Sequence, residues 1–277
     1  NDPSDFSREN LLYVPPDVFN YQIAFIKKNF NVIEPKQLMN QSIPSNAALV
    51  TFDDGYKSFF LNAIPIIEKQ KVPAIIFLNM GPILGETFWS GLIVYLCKRR
   101  PDFFEFMKSQ LLPFEIGEQP YLSCSKALVE KYLKQSGEEF HEIVSSYVGE
   151  FAEEADLQKA SRNPYIFYGN HTYTHYVSSQ MSDDDFLKDV QKNSKLLMSF
   201  PNYIDYFAFP FGAPKSTFTN DQVKLLFKED FKKVFYSAAS SLNSFPLTSF
   251  LDRITLISDD NSTSKIKYRV MKAWLLS

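Results

Sequence analysis

The sequence predicts an α/β protein in which parallel strands alternate with helices, interrupted once by a long helical stretch. Three observations carry that reading. Short apolar runs such as Ala74-Ile75-Ile76-Phe77-Leu78 recur along the chain, as expected of strands buried on both faces of a parallel sheet. Helix-patterned segments separate these runs, and the order strand, helix, strand makes a parallel βαβ unit. From about residue 81 to residue 162 the apolar runs give way to charged, helix-like segments, which predicts a helical insert.

The 277 residues, 45% hydrophobic and 22% charged, can bury a sizeable core in one domain, so residues 1–277 are expected to form a single unit carrying that insert. A net charge of −3 and a pI near 5.7 provide no basic field for nucleic acid or an anionic membrane. A neutral or cationic ligand is easier to accommodate. With no run of eighteen apolar residues and no signal-peptide pattern at Asn1-Asp2-Pro3-Ser4, a soluble chain without a membrane span is expected, with a lean to the bacterial cytoplasm or the inner face of the envelope. Cys97 and Cys124 make neither a CxxC site nor a disulfide framework.

Taken in order, Pro16 to Phe30 reads as an amphipathic helix carrying Val18, Phe19, Ile23, Phe25 and Ile26 and ending in Lys27-Lys28. Val32-Ile33 and a short helix near Pro35 to Met39 lead to Ala47–Phe52, a buried strand with Asp53, Asp54 and Gly55 at its C-terminal edge. That is where α/β proteins place their chemistry. Beyond Gly55, Phe59, Phe60, Ala63, Ile66 and Ile67 mark a helix face bent by Pro65. In the insert, Phe88 to Arg100 and Lys126 to Lys159 are helix-like, and Glu138-Glu139 and Glu153-Glu154 read as solvated faces. Alternation resumes with the strand Pro164 to Tyr168, which delivers His171-Thr172-Tyr173-Thr174-His175. Ser182 caps a helix through Phe200, and Ile204 to Phe209 is a strand ending in Pro210-Phe211-Gly212. A helix starts at Thr219 or Asn220, Phe231 to Tyr236 and Phe250 to Ile257 are the last strands, and Ser262 to Leu276 closes the chain as an amphipathic helix. Four strand ends thus present motifs to one rim.

Asp53-Asp54-Gly55 alone reads as well as a turn as it does a site. The histidine pair shifts the balance, because a spacing of four, one helical turn, lets both imidazoles face one ion. Two histidines and one carboxylate leave positions open for water, as catalytic metal sites do, and a second carboxylate is then free to act as a base.

Thr51-Phe52-Asp53-Asp54-Gly55, His171-Thr172-Tyr173-Thr174-His175 and Phe207-Ala208-Phe209-Pro210-Phe211-Gly212, in that order, resemble the motifs of the polysaccharide deacetylases, the NodB-homology family of carbohydrate esterases. The resemblance runs from about residue 15 to residue 257. Trp89 in Gly85-Glu86-Thr87-Phe88-Trp89 is similar to a tryptophan of the exopolysaccharide-associated branch, although a core role suits it equally. The resemblance implies a distorted, incomplete (β/α) TIM-like barrel and removal of acetyl groups, N-acetyl before O-acetyl, from a glycan. It implies that Asp54, His171 and His175 hold a divalent metal, zinc being the expected ion, which acidifies water and polarises the acetyl carbonyl. Asp53 would take the water's proton. A backbone N–H at Phe211 would stabilise the oxyanion, with Gly212, Tyr56 and Trp89 on the substrate side.

Two departures stand out: most of the family has Arg where this chain has Ala208, and no histidine follows His175 to act as a late general acid. Arg253 in Leu251-Asp252-Arg253-Ile254 is the candidate replacement for the first. For the second, water, Asp53 after taking its proton, or His141 from the insert would serve. The competing readings are a carbohydrate-binding protein on a decayed enzyme scaffold and a metal-dependent hydrolase of another amide or ester.

Overall fold

The computed structural model describes residues 3–39, 43–111, 120–238, 243 and 248–275. Two short strands, β1 (Asn31–Val32) and β2 (Ala47–Ala48), pair in parallel by themselves. The main sheet is a curled, parallel half-barrel of six strands: β3 (Val50–Asp54), β4 (Ala74–Leu78), β5 (Ile166–Asn170), β6 (Tyr203–Ala208), β7 (Lys233–Tyr236) and β8 (Phe250–Asp252). Each strand pairs with the next in the chain, so β3 and β8 are the two edges. The last strand is shorter than Phe250 to Ile257, because the backbone leaves the ladder after Asp252.

The apolar run of β4 is solvent-free from Ala74 to Leu78, each residue 0% exposed. Alternate side chains of a strand point to opposite faces, which divides the run between two cores. Ile75 and Phe77 pack inside the barrel with Ile33, Leu38, Tyr206, Ala208, Phe235 and Leu251. Ala74, Ile76 and Leu78 pack outward against Ile64, Ile67, Leu157, Leu197 and Phe200 from the surrounding helices. Burying side chains of this size stabilises by roughly 1.5–3 kcal/mol each, so β4 is the spine of the sheet.

The helix Pro16–Asn29 begins on a proline whose missing N–H is not needed in a first turn. Pro65 falls likewise in the first turn of the helix Ile64–Gln70, and the bend expected there is a π turn over Phe59–Ala63 just before it. Ser4 caps an N-terminal helix, Asp5–Glu9, that the sequence pattern did not suggest.

Helices Trp89–Arg99, Pro101–Gln110, Lys126–Ser136 and His141–Val148 share a core of their own around Leu92, Leu96, Phe103, Met107, Val129 and Val144. The stretch Lys126 to Lys159 is three helices rather than one. Gly137 (φ 65°) and Gly149 (φ 92°) break it in left-handed backbone, and Glu154–Ala160 follows. Ser182 and Thr219 cap the helices Asp183–Leu197 and Asn220–Lys228 through their hydroxyls. The last helix is Thr263–Leu275; Leu276, like Asn1 and Asp2, lies outside the described residues. Among the described residues no helix is long and apolar enough to cross a membrane.

Candidate metal centre

Asp53 and Asp54 are the last residues of β3, where neighbouring side chains would ordinarily diverge. Left-handed backbone at Asp54 (φ 75°) and Gly55 (φ 101°) turns the chain so that both carboxylates line one cleft. At Gly55 (φ 101°) the backbone lies where residues with a Cβ rarely go, so the turn needs glycine for its torsion. The turn is pinned to the helical region by Lys57 N donating to Glu150 O and Ala152 N to Gly55 O, 2.9 Å each, with the Tyr56 ring stacked on Phe151 at 4.7 Å.

The histidine segment is not a helical turn. It is irregular chain beyond β5, with left-handed backbone at Thr172 (φ 65°) and His175 (φ 55°), and these reversals, rather than helical periodicity, bring the rings to 4.9 Å. Side chains from three elements hold it. Asn170 Oδ1 accepts from Thr172 N at 2.8 Å, and Asp189 Oδ2 accepts from Tyr173 N at 2.6 Å. Asn79 donates to the carbonyls of His171 and Thr172, and Asn193 ties Asn170 to Leu78 O. Left-handed residues other than glycine cost of order 1–3 kcal/mol, and Asp54, Thr172, His175 and Phe211 all belong to this rim.

The imidazoles converge on one carboxylate oxygen: Asp54 Oδ1 is 3.5 Å from His171 Nε2 and 3.1 Å from His175 Nε2. Asp53 Oδ2 is farther from His171 Nε2, at 3.9 Å. One ligand atom from each of Asp54, His171 and His175 lies within 4.8 Å of the others. His171 Nδ1 sits 2.7 Å from Ala208 O, and a carbonyl only accepts, so the ring proton is on Nδ1 and Nε2 offers a lone pair. Burial lowers the His171 pKa more than the nearby Asp53 raises it, which keeps the ring neutral near pH 7. Asp54 Oδ1 itself is buried without a hydrogen-bond partner. A lone pair and a carboxylate oxygen meet here with no proton between them, a donor set that could hold a divalent cation with nitrogen and oxygen ligands.

Asp53 meets different company. Arg253, just past β8, grips it with both terminal nitrogens, Nη1 to Oδ1 at 2.7 Å and Nη2 to Oδ2 at 2.8 Å, while Nη1 also reaches Thr51 Oγ1 at 3.3 Å. Burial raises the Asp53 pKa, but the Arg253 guanidinium, through its charge and its two hydrogen bonds, outweighs burial and, with the imidazoles alongside, holds the carboxyl at about 2. Arg253 thus reaches the base candidate across the gap between the sheet edges, with Ala208 buried beneath the site.

Phe211 (φ 61°) places its ring 5.2 Å from His175, and its N–H bonds to no other described residue. At Gly212 (φ 63°) a Cβ would come within 2.6 Å of Ser237 N, so only glycine lets this loop lie against β7's continuation. The Tyr56 hydroxyl is buried with no partner, and burial, then Asp54, raises its pKa well above the usual value. Trp89 packs edge-on to Tyr176 at 5.8 Å, with Lys126 Nζ 5.3 Å from its ring centre, and does not line the cleft that Asp53 and Asp54 line. Its neighbour Ser90, which the sequence did not single out, contacts His175 instead. His141 lines the same cleft as the two aspartates and contacts Thr87 Oγ1 at 3.2 Å.

Comparison with solved structures places this arrangement on a known scaffold. The Streptococcus pyogenes deacetylase PplD, solved in complex with acetate, aligns over 93% of this chain and 87% of its own, with a TM-score of 0.59 at 16% identity. The fold is that of a deacetylase. IcaB from Ammonifex degensii aligns over 91% of this chain and 88% of its own (TM-score 0.56, 17% identity), and a de-N-acetylase from Aggregatibacter actinomycetemcomitans over 90% and 86% (TM-score 0.54, 14% identity). No family model and no curated protein matches the sequence. At these identities the likeness is one of fold, and it includes the half-barrel whose rim carries the Asp54, His171 and His175 cluster.

Proposed function

We propose that the protein is a metal-dependent deacetylase that removes N-acetyl groups from a polysaccharide or oligosaccharide. One observation carries the reading: Asp54 Oδ1, buried and without a hydrogen-bond partner, faces the Nε2 atoms of two buried histidines on the rim of a deacetylase-type half-barrel. Asp54, His171 and His175 would hold the ion, and zinc suits two imidazoles and one carboxylate. Such an ion supplies Lewis acidity, lowering the pKa of water and polarising a carbonyl.

The chain's own groups do the rest. Asp53, ionised at neutral pH, accepts the proton of the attacking water, and Arg253 fixes both of its oxygens so that the carboxylate cannot rotate away. The Phe211 N–H is available to donate to the oxyanion as it forms, the stage at which such a bond lowers the barrier. Asp53 then returns its proton to the departing nitrogen, so no late histidine is required. Acetate and a free amine result. The cleft lined by Asp53, Asp54 and Arg253 would receive the acetylated sugar, and Tyr56 borders it beside the carboxylates.

The test combines metal analysis with acetate release from acetylated chitooligosaccharides. One ion per chain, acetate release and loss of both on chelation are expected. A protein that binds sugar but frees no acetate from any acetylated glycan would be a binder on the same scaffold, and turnover confined to non-sugar amides or esters would reassign the substrate.

A further inference from the structure

We propose that Ser90 is a positioning residue of the metal centre: its hydroxyl holds His175 with the ring proton on Nδ1, so that Nε2 faces the ion, and a helix outside the sheet thereby sets metal affinity. The inference rests on the metal-centre reading above. Ser90 is 3% exposed and lies in the first turn of the helix Trp89–Arg99, 85 positions before His175. Its Oγ is 2.6 Å from the His175 carbonyl oxygen and also in hydrogen-bond contact with His175 Nδ1.

The proton assignment follows from valence. A serine hydroxyl has one proton to give and lone pairs to receive, whereas a carbonyl oxygen can only accept. The hydroxyl proton therefore goes to His175 O, and Nδ1 has to be the donor to Oγ. A neutral imidazole carries one N–H, so Nε2 is left as a lone pair 3.1 Å from Asp54 Oδ1. His171 reaches the same state through Ala208 O at the end of β6. The two histidines are thus oriented from different quarters, one by the sheet and the other by the helical region.

That helix is seated so that Ser90 cannot drift. A Cβ added at Gly91 would fall 2.2 Å from Val148 of the helix His141–Val148, and the Phe88 ring lies 5.0 Å from the His175 ring. Partners that orient a metal-binding histidine typically contribute 10–100-fold in metal affinity.

The experiment titrates zinc-free wild type, Ser90→Ala and Ser90→Thr with Zn²⁺ against a chromophoric chelator, with circular dichroism checking the fold. Ser90→Ala should bind zinc roughly 10–100-fold more weakly with its spectrum unchanged, and Ser90→Thr, which keeps the hydroxyl, should recover most of the loss. Nitrogen-15 NMR of the zinc-free proteins reads the tautomer directly: His175 should be protonated on Nδ1 in wild type and lose that preference in Ser90→Ala. Equal zinc affinity in wild type and Ser90→Ala, an equal loss in Ser90→Thr, or an Nε2-protonated His175 in zinc-free wild type would each overturn the assignment. If wild type takes up no zinc, the metal-centre reading fails first, and this inference with it.

Discussion

Asp53 and Asp54 are neighbours in the chain and share one cleft, but their closest partners differ: one is held by a guanidinium, the other faces two imidazoles. Asp54→Asn should therefore lose bound metal, because on the proposed reading the carboxylate is one of the three groups, with His171 and His175, that would hold the ion. Asp53→Asn should keep the metal and lower kcat by roughly 10²–10⁴ with little change in binding. Metal content and acetate release of the two variants side by side check both expectations, and a metal-depleted Asp53→Asn would reverse the roles. The Arg253 pair also has a pH signature in the metal-free protein. Because the Asp53 pKa is depressed to about 2 against an unfolded value of roughly 3.9, its contribution is present above about pH 4 and is lost as pH falls towards 2. The stability gap between wild type and Asp53→Asn in urea should narrow over that window. These carboxylates and the two histidines were legible in the sequence because motif residues sit at strand ends. Ser90 and Asn79 were not, since their partners lie 85 and 92 positions away and no local pattern reports a hydrogen bond across that distance.

The β5–histidine connection shows at the level of elements why spacing alone misleads. The interval of four residues suggested a helical face, yet the segment is a loop whose geometry comes from Asn79, Asn170, Asp189 and Asn193, all drawn from neighbouring elements. Strands were easier to read: the apolar run of β4 is dictated by burial on both faces, and the hydroxyl cap at Ser182 and the helix start at Thr219 or Asn220 stand where the sequence placed them. The breaks within the helical region were not legible, because Gly137 and Gly149 act through a backbone torsion that composition does not display. Asn79→Ala tests the loop. Asn79 is 0% exposed, and its removal leaves the His171 and Thr172 carbonyls unpaired, which should cost about 1–3 kcal/mol in urea denaturation and weaken metal binding in the same variant. Unchanged metal affinity alongside lost stability would confine its role to packing.

At the scale of the whole molecule, a ligand bound only by the folded state adds to its stability by mass action. Zinc at 100 times its dissociation constant should add about 2.7 kcal/mol, so chelation should lower Tm in wild type and leave Asp54→Asn unmoved. The sheet adds a consequence of its own. Among the described residues it runs from β3 to β8 without a ladder joining its two edges, yet Arg253 beyond β8 grips Asp53 on β3. The ion pair is a clasp on an open hoop: it fastens at the rim, by two charged hydrogen bonds, the ring that the backbone leaves unfastened. Chemistry and closure then share one fastening, so a substitution aimed at the reaction also slackens the hoop. Arg253→Met should speed amide exchange in both β3 and β8, strands that do not touch through their backbones, while β4 and β5 between them keep their protection.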